Sequence, residues 1–342
     1  MSEHGAGDSA EQTQQQAVRS AQERTLGLYH QLMQINAASH LIRSLRKLGL
    51  IDALREQQCT LEQLCVSGSL DTEIVREILD AAVAIGIVEQ YQDDYALSRA
   101  AHLLCQYDHD LADSRWERLV GLAQGDLSRE SHDVQLHQDH LAATQWIHTP
   151  AAMEAAEILD FGGDSSGQSL EILDLGCGSA VWSSAMAYRD QKANITAVDH
   201  HAALEAARST AKSIGLEERF RAVPADPAEV ELERGQYDWV VIAQRLSGIG
   251  SQNAERFLAR AVEFLRVGGR LVVIDLVDMG GKVTLVDRLE SLRLKLETSE
   301  GGILSPTQLQ SQLTSCGLED CQFALLSKDR AKFGIVVGKK GA

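Results

Sequence analysis

Short apolar runs alternate with helix-like segments through the second half of the chain. The runs predict strands at 170–175, 195–199, 220–223, 239–243 and 270–276. Apolar residues at helical spacing predict helices between them, at about 180–189, 202–214 and 252–265. Two last runs, 321–326 and 333–337, flank a charged turn and predict a terminal antiparallel hairpin. Because strands that alternate with helices form a parallel sheet, the pattern predicts an α/β fold with a reversed final strand.

The first half of the chain predicts a helical module that ends in a small wing. Apolar residues fall at helical spacing over 22–54, and further helices begin at Thr60 and after Asp71. Residues 87–91 and 95–97 then read as two strands joined by a polar turn. Three helices followed by a hairpin predict a winged helix.

A winged helix can bind DNA or mediate contacts between protein chains. The third helix carries Asp71, Glu73, Glu77 and Asp80 against the single cation Arg76. Contact of this helix with phosphates is therefore repulsive, which favours an interaction module over a DNA-binding one.

The strongest chemical signal lies directly after the first strand of the second half, in Asp174-Leu-Gly176-Cys-Gly178-Ser-Ala180. Glycines in such a strand-to-helix turn let a ligand approach the backbone closely. A dinucleotide fingerprint requires a third glycine, but that position is Val181. The turn therefore disfavours a dinucleotide site.

Acidic residues recur where the predicted strands end. Asp199 closes the second strand, Asp226 follows the third and Asp275 closes the fifth. Parallel α/β sheets bind ligands at this edge, and a carboxylate such as that of Asp199 can accept hydrogen bonds from a ribose diol. Acidic groups also suit a cofactor that carries positive charge.

These motifs resemble those of class I S-adenosylmethionine-dependent methyltransferases. The first motif matches, with Ala180 where the family usually has glycine, and Arg266-Val-Gly268-Gly269-Arg270 resembles the family's Pro-Gly-Gly-Arg turn, with Val267 in place of proline. In the first half, 48–54 and 86–88 resemble the N-terminal dimerisation domain of plant-type and bacterial small-molecule O-methyltransferases.

The resemblance implies methyl transfer from S-adenosylmethionine to a hydroxyl of a small aromatic or polyketide-like acceptor, by a homodimer. It implies a division into a disordered tail (1–20), a winged-helix dimerisation domain (21–104), a helical linker (105–164) and a cofactor-binding domain (165–342). The cofactor residues that it implies are Asp174, Gly176, Gly178, Asp199, Asp226 and Gln244. The acceptor residues that it implies are Trp146, Met153 and Arg245.

The chain departs from the family at the catalytic position. In the plant-type enzymes a histidine after the fourth strand removes the proton of the acceptor hydroxyl, whereas here Ser247 and Gly248 align with that histidine and its neighbour. A phenol has a pKa of about 10, so a positioned base adds on the order of 10²–10⁴ in rate. His148 in the linker is a weak candidate for the missing base, and His200 and His201 are weaker ones.

Two alternatives to a substitute base stay open. Positioning of the acceptor beside the methyl group can suffice without proton removal by the protein. The domain can also have kept the fold and lost transfer, as a silent or repurposed cofactor-binding or interaction protein. A third hypothesis, an NAD-dependent reductase, is disfavoured by Val181 and by the terminal hairpin.

The segment 98–160 is rich in histidine, which raises the question of a metal site. Its histidines are His102, His109, His132, His137, His140 and His148. His137 and His140 have helical spacing, but no third ligand is evident near them, so no metal site is predicted. The six cysteines lack zinc-site spacing, which predicts reduced thiols in a cytosolic protein.

Charge and hydropathy exclude other classes of partner. The net charge of −17 argues against a general nucleic-acid binder. No apolar stretch is long enough to span a bilayer, and the polar segment 1–20 lacks the apolar core of a signal peptide. We therefore expect a cytoplasmic protein without nucleic-acid or membrane partners.

Overall fold

The computed structural model describes residues 5–102, 113–125, 140–162, 169–281, 283–327 and 331–341 of the chain. It divides into two compact units, residues 1–111 and 112–342. The predicted linker histidines His109, His132 and His137 lie outside the described residues. No described helix is both long enough and apolar enough to cross a bilayer.

The first unit contains helices and a small antiparallel sheet. Its helices are α1 (Gly5–Lys47), α2 (Leu50–Glu56), α3 (Leu61–Gly68) and α4 (Thr72–Ala84). Its strands are β1 (Cys59–Thr60), β2 (Val88–Tyr91) and β3 (Asp94–Leu97), in the order β1-β3-β2. The predicted helices and wing are both present.

Side chains at the helix starts explain where these elements begin. Thr60 and Gln63 form a reciprocal capping box at α3, and the Asp71 carboxylate accepts hydrogen bonds from two backbone amides of α4. Apolar side chains on one face of α4, among them Val75 and Leu79, are buried with Leu45 in the core of the unit. Burial of this apolar face thus fixes the orientation of α4 in the unit.

Helix α1 is longer than the sequence analysis predicts. It begins at Gly5, so the segment predicted to be disordered is helical over residues 5–20. The Gln, Ala and Glu residues of this segment have high helix propensity and lack a proline that would stop the helix. Along the same helix a set of large apolar side chains is more than half exposed, namely Leu26, Leu28, Tyr29, Leu32, Met33 and Ile35.

The second unit contains a seven-stranded mixed sheet. Its strands are β4 (Leu170–Leu175), β5 (Ala193–Asp199), β6 (Phe220–Pro224), β7 (Tyr237–Ala243), β8 (Leu265–Leu276), β9 (Leu318–Leu325) and β10 (Phe333–Lys340). Its helices are α5 (Asp113–Gln124), α6 (Thr149–Ile158), α7 (Val181–Arg189), α8 (His201–Ser213), α9 (Ser251–Phe264), α10 (Leu285–Glu297) and α11 (Pro306–Ser315). Single 3₁₀ turns occur at Gln145–His148, Glu217–Arg219 and Leu246–Gly248.

The strand order is β6-β5-β4-β7-β8-β10-β9, and only the β10 pairings are antiparallel. The terminal reversed hairpin is therefore confirmed, with β10 inserted between β8 and β9. The chain runs outward from β4 through β6 and then returns to β7 on the other side of β4. Open α/β sheets bind ligands at such a reversal, beyond the carboxyl ends of the strands.

Alternate residues of the central strands pack on opposite faces of the sheet. Ile172 and Val241 belong to one apolar cluster with Trp182 of α7, whereas Leu173 and Val240 belong to a second with Phe257 of α9. Burial on both faces explains why these strands read as continuous apolar runs. It also holds the carboxyl ends of β4, β5 and β7 in fixed register.

Candidate functional site

The turn between β4 and α7 is built from residues in the left-handed backbone region. Gly176 and Gly178 have φ angles of 75° and 53°. Ala180 also adopts positive φ, at 55°, a conformation that costs a non-glycine residue roughly 1–2 kcal/mol. The Gly176 amide donates to the carbonyl of Val198 at 2.9 Å, which joins the turn to β5.

Asp199 fixes the turn from the end of β5. Its Oδ2 accepts a hydrogen bond from the Gly178 amide at 2.8 Å, and its Oδ1 accepts one from the His200 amide at 2.8 Å. The side chain is buried. The predicted ribose-binding carboxylate and the predicted glycine turn are therefore in direct contact.

Asp174 lies in the interior at the end of β4. It is buried and accepts a hydrogen bond from the Ser183 hydroxyl of α7. Burial is the main cause that raises the pKa of Asp174, to about 7; the Ser183 hydrogen bond opposes this effect and the nearby Asp199 carboxylate adds to it. Near neutral pH this carboxyl is therefore partly protonated.

Gln244 and Arg245 follow β7 at the same edge of the sheet. Gln244 has a φ of 55°, and its Oε1 accepts a hydrogen bond from the Trp182 indole at 3.2 Å. Arg245 lies on the glycine turn, because a Cβ placed on Gly176 would be 3.3 Å from its Cδ. The structure thus brings Arg245, which the resemblance implies for the acceptor, to the turn predicted to hold the cofactor.

The charges of two carboxylates act on the buried Arg245 guanidinium. Burial lowers the pKa of Arg245, whereas the charges of Asp199 and Asp226 raise it, so both carboxylates act on this cation. Asp226 itself is exposed and accepts a hydrogen bond from the Ala228 amide at 2.9 Å. The guanidinium also lies over the Phe257 ring, with Cζ 5.8 Å from the ring centroid.

Gln145 is a site residue that the sequence analysis missed. Its Oε1 accepts a hydrogen bond from the Ser179 amide at 3.0 Å and lies 2.5 Å from the position of a Cβ on Gly178. The side chain is 1% exposed. A glutamine in a polar, histidine-rich segment carries no sequence signal for such a contact, because the contact depends on how α6 packs against α7.

The segment at the position of the family's catalytic histidine is buried and held by backbone contacts. The Ser247 amide donates to the Asp275 carboxylate at 2.9 Å, and the Ser247 carbonyl accepts from the Gly302 amide at 2.9 Å. Asp275 therefore orients this segment. A cavity of about 220 Å³ lies beside it, lined by Leu276 and Gly302 and by the Asp287–Lys332 ion pair, whose atoms are 3.0 Å apart.

His148 lies in an aromatic cluster. Its ring stacks on Trp182 at a centroid distance of 6.1 Å and meets Phe333 edge-on at 4.7 Å. Two acceptor residues implied by the resemblance lie on the same part of the chain: Trp146 is partly buried in the same 3₁₀ turn, and Met153 packs against the core. The weaker base candidate His201 is exposed and lies 3.8 Å from the Glu205 carboxylate.

The sequence over residues 172–269 matches the family described as a methyltransferase domain. The second unit is a methyltransferase-fold domain. The matched segment includes the glycine turn, Asp199, Asp226 and Ser247, but it covers less than half of the chain.

Solved methyltransferase structures resemble the chain over most of its length. Mitomycin 7-O-methyltransferase is 18% identical, with a TM-score of 0.69, over 95% of this chain and 99% of that one. Human N-acetylserotonin methyltransferase with S-adenosylmethionine bound is 18% identical, with a TM-score of 0.65, over 89% and 94%. N,N-8-amino-8-demethyl-D-riboflavin dimethyltransferase from Streptomyces davawensis is also 18% identical, with a TM-score of 0.63, over 92% and 99%.

At this level of identity the similarity establishes the fold. The same architecture serves methyl transfer to oxygen in one of these proteins and to an amino nitrogen in another, so the fold leaves the acceptor atom open. No curated protein sequence matches this chain significantly.

The residues at the turn fit S-adenosylmethionine. Gly176 and Gly178 expose backbone where an added Cβ would crowd the side chains of Arg245 and Gln145. The buried Asp199 carboxylate lies beside this backbone. The surrounding carboxylates suit a ligand that carries a sulfonium and an amino group.

The raised pKa of Asp174 predicts a specific pH dependence of stability. The pKa of this carboxyl is about 7 in the folded protein against 3.8 ordinarily. The stability that its protonation contributes is therefore full below about pH 4 and is lost as the pH rises through 7. Asp174→Asn keeps the shape and removes the titration. Between about pH 5.5 and pH 8 we expect the wild type to lose on the order of 2 kcal/mol more unfolding free energy than Asp174→Asn.

Urea unfolding at both pH values checks this expectation, with Asp160→Asn as the control for loss of an exposed carboxyl. The control should keep the wild-type pH dependence. Equal pH dependence in the wild type and Asp174→Asn would show that Asp174 is ionised throughout this range.

Proposed function

We propose that this protein transfers a methyl group from S-adenosylmethionine to a small molecule, most favourably to a hydroxyl of an aromatic or polyketide-like acceptor. The observation that carries the proposal is the contact between Asp199 and the Gly178 amide at the strand reversal of a methyltransferase-fold sheet. The similarity over nearly the whole chain to small-molecule methyltransferases supports the class of acceptor.

Residues at four strand ends would hold the cofactor. The turn with Gly176 and Gly178 offers backbone surface, and Asp199 and Asp226 offer carboxylates at the ends of β5 and β6. Gln244, fixed by Trp182, closes the site from β7. When bound, S-adenosylmethionine supplies a methyl group activated by the positive sulfonium.

The protein's part in the transfer is mainly to position the acceptor. Ser247 offers no base at the position where the related enzymes have histidine, and the packed ring of His148 has the surroundings of a structural side chain. We infer that orientation of the acceptor provides most of the acceleration. The cavity beside Ser247 is a candidate acceptor site, and its ion pair indicates an acceptor with polar substituents.

A cofactor-binding protein without transfer activity is the second candidate. The observation that favours it is Ser247, which has no basic group at the position where the related enzymes have histidine. A panel of phenols, polyketides and aromatic amines, tested with labelled cofactor, distinguishes the two candidates. Methylation of any of these acceptors shows an active enzyme and excludes a protein that only binds the cofactor.

Ligand binding tests the proposal first. In calorimetric titrations we expect S-adenosylhomocysteine to bind at least about 100-fold more tightly than NAD⁺, because the turn lacks the third glycine of dinucleotide sites. Gly176→Leu should abolish binding, since its side chain enters the space that now contains Arg245.

Gly215→Leu is the matched control for this titration. Gly215 has nearly the same φ as Gly176, 73° against 75°, but a Cβ there meets no atom within 4 Å. It should therefore share the backbone strain and keep the binding. NAD⁺ binding without S-adenosylhomocysteine binding would contradict the proposed function.

Replacement of His148 distinguishes a packing role from a catalytic one. We expect His148→Phe to keep turnover within about threefold, because phenylalanine can fill the space beside Trp182 and Phe333. His148→Ala should lose roughly 2–4 kcal/mol of stability through the cavity it creates. A loss of about 10²-fold in kcat for a stably folded His148→Phe, with unchanged cofactor affinity, would instead make His148 the base.

The exposed apolar side chains of α1 predict a homodimer. Leu32 is 57% exposed within a set of similar neighbours, and a surface of this kind is expected to be covered by another chain. Light scattering at about 10 μM should give a dimer mass for the wild type and a monomer mass for Leu32→Glu, since a buried unpaired charge opposes association. Gln31→Glu, which adds the same charge at the neighbouring polar position, should stay dimeric; a wild-type monomer would exclude the dimer.

A further inference from the structure

We propose that Gln145 and Arg245 together act as an internal ligand of the glycine turn, and that both side chains must leave it before the cofactor binds. The inference rests on the proposed function, because it assigns the turn to S-adenosylmethionine. It makes Gln145 and Arg245 determinants of cofactor affinity that lower it in the free protein.

Gln145 occupies the part of the turn nearest α7. Its side-chain oxygen accepts hydrogen bonds from the Ser179 amide at 3.0 Å and from the Ser179 hydroxyl at 3.4 Å. The same oxygen lies against Gly178, closer than a Cβ on that residue could tolerate. The Gln145 carbonyl oxygen thus accepts hydrogen bonds from donors at the start of α7 that could otherwise bind the carboxylate of a ligand.

The other half of the Gln145 amide lacks a partner. Its Nε2 is buried and has no hydrogen-bond partner among the described residues. A buried amide nitrogen without a hydrogen-bond partner is energetically unfavourable. The buried position of Gln145 on Ser179 therefore has an unfavourable component. This favours replacement of Gln145 by a ligand that accepts the same hydrogen bonds from Ser179.

Arg245 occupies the part of the turn nearest β5. Three atoms of its side chain, Cγ, Cδ and Nε, lie 3.3–3.7 Å from the position of a Cβ on Gly176, and the residue is 7% exposed. The carboxylates of Asp199 and Asp226 stabilise its positive charge there. A guanidinium thus interacts with the two acidic groups that the proposed function assigns to the nucleoside.

Gln145 thus offers the turn a neutral hydrogen-bond acceptor, and Arg245 offers it a cation. In S-adenosylmethionine the carboxylate can replace the acceptor, and the hydroxyl, amino and sulfonium groups can replace the cation. Each contact within the protein can therefore be replaced by a contact with the ligand. Since the turn is competent only when both side chains have moved, the apparent affinity is reduced by the fraction of molecules in that state. A variant that lacks either side chain should bind more tightly than the wild type.

Calorimetric titration with S-adenosylhomocysteine tests this directly and needs no acceptor. Arg245→Met removes the charge and keeps most of the volume of a flexible side chain, and we expect its Kd to be about tenfold lower than that of the wild type. Gln145→Ala should lower the Kd by roughly threefold or more. Arg256→Met, at an exposed position of α9, is the matched control and should leave the Kd unchanged.

Thermal unfolding without ligand verifies that each variant is folded, and Gln145→Ala decides the question if Arg245→Met does not fold. Tighter binding by the folded variants, or binding that appears only in them, supports the internal ligand. If the wild type binds and the folded variants bind equally or more weakly, the side chains are ordinary cofactor contacts and the inference is wrong. If neither the wild type nor any folded variant binds S-adenosylhomocysteine, the proposed function is wrong as well.

Discussion

The hydrogen bond from the Gly178 amide to the Asp199 carboxylate is the interaction on which the site depends. It ties the turn after β4 to the end of β5, and the neighbouring bond from Gly176 to Val198 fixes the same turn a second time. A hydrogen bond to a charged acceptor contributes about 1.5–3 kcal/mol, enough to offset the strain of Ala180 in the left-handed region. With the turn held in this way, Asp174 is enclosed beneath it and Gln145 and Arg245 lie upon it.

The same constraint limits what the site can do chemically. The ends of β4, β5 and β7 meet where the sheet reverses direction, so they bring carboxylates and backbone donors together at a place suited to a nucleoside. The next position along, Ser247, is anchored by Asp275 but carries no group that can accept a proton near neutral pH. Under the proposed function, the turn binds the cofactor and positioning of the acceptor provides the acceleration.

Sequence reasoning located the elements whose signal is local. Continuous apolar runs predicted β4 and β5 because both faces of these strands are buried, and the spacing of Gly176 and Gly178 predicted their turn conformation. One local signal misled the interpretation, since the polar composition of residues 5–20 suggested disorder although its helix propensity is high. The ring contacts of His148 with Trp182 and Phe333 could not be foreseen, because these neighbours are distant in sequence.

The contacts that escaped prediction all join segments far apart in the chain. Gln145 reaches Ser179 only because α6 packs against α7, and Arg245 reaches Gly176 only because β7 lies beside β4. The pattern of hydrophobic and polar residues along the chain does not predict which distant residues come into contact. For this reason the glycine turn could be predicted from the sequence, whereas the side chains that cover it could not.

A crystal structure of the protein grown with S-adenosylhomocysteine tests the central claim most directly. The account predicts the nucleoside at the carboxyl ends of β4 and β5, with its ribose hydroxyls on the Asp199 carboxylate and with Arg245 moved away from Gly176. Ligand bound elsewhere on the chain, with the Gly178–Asp199 turn still covered by Gln145 and Arg245, would contradict it.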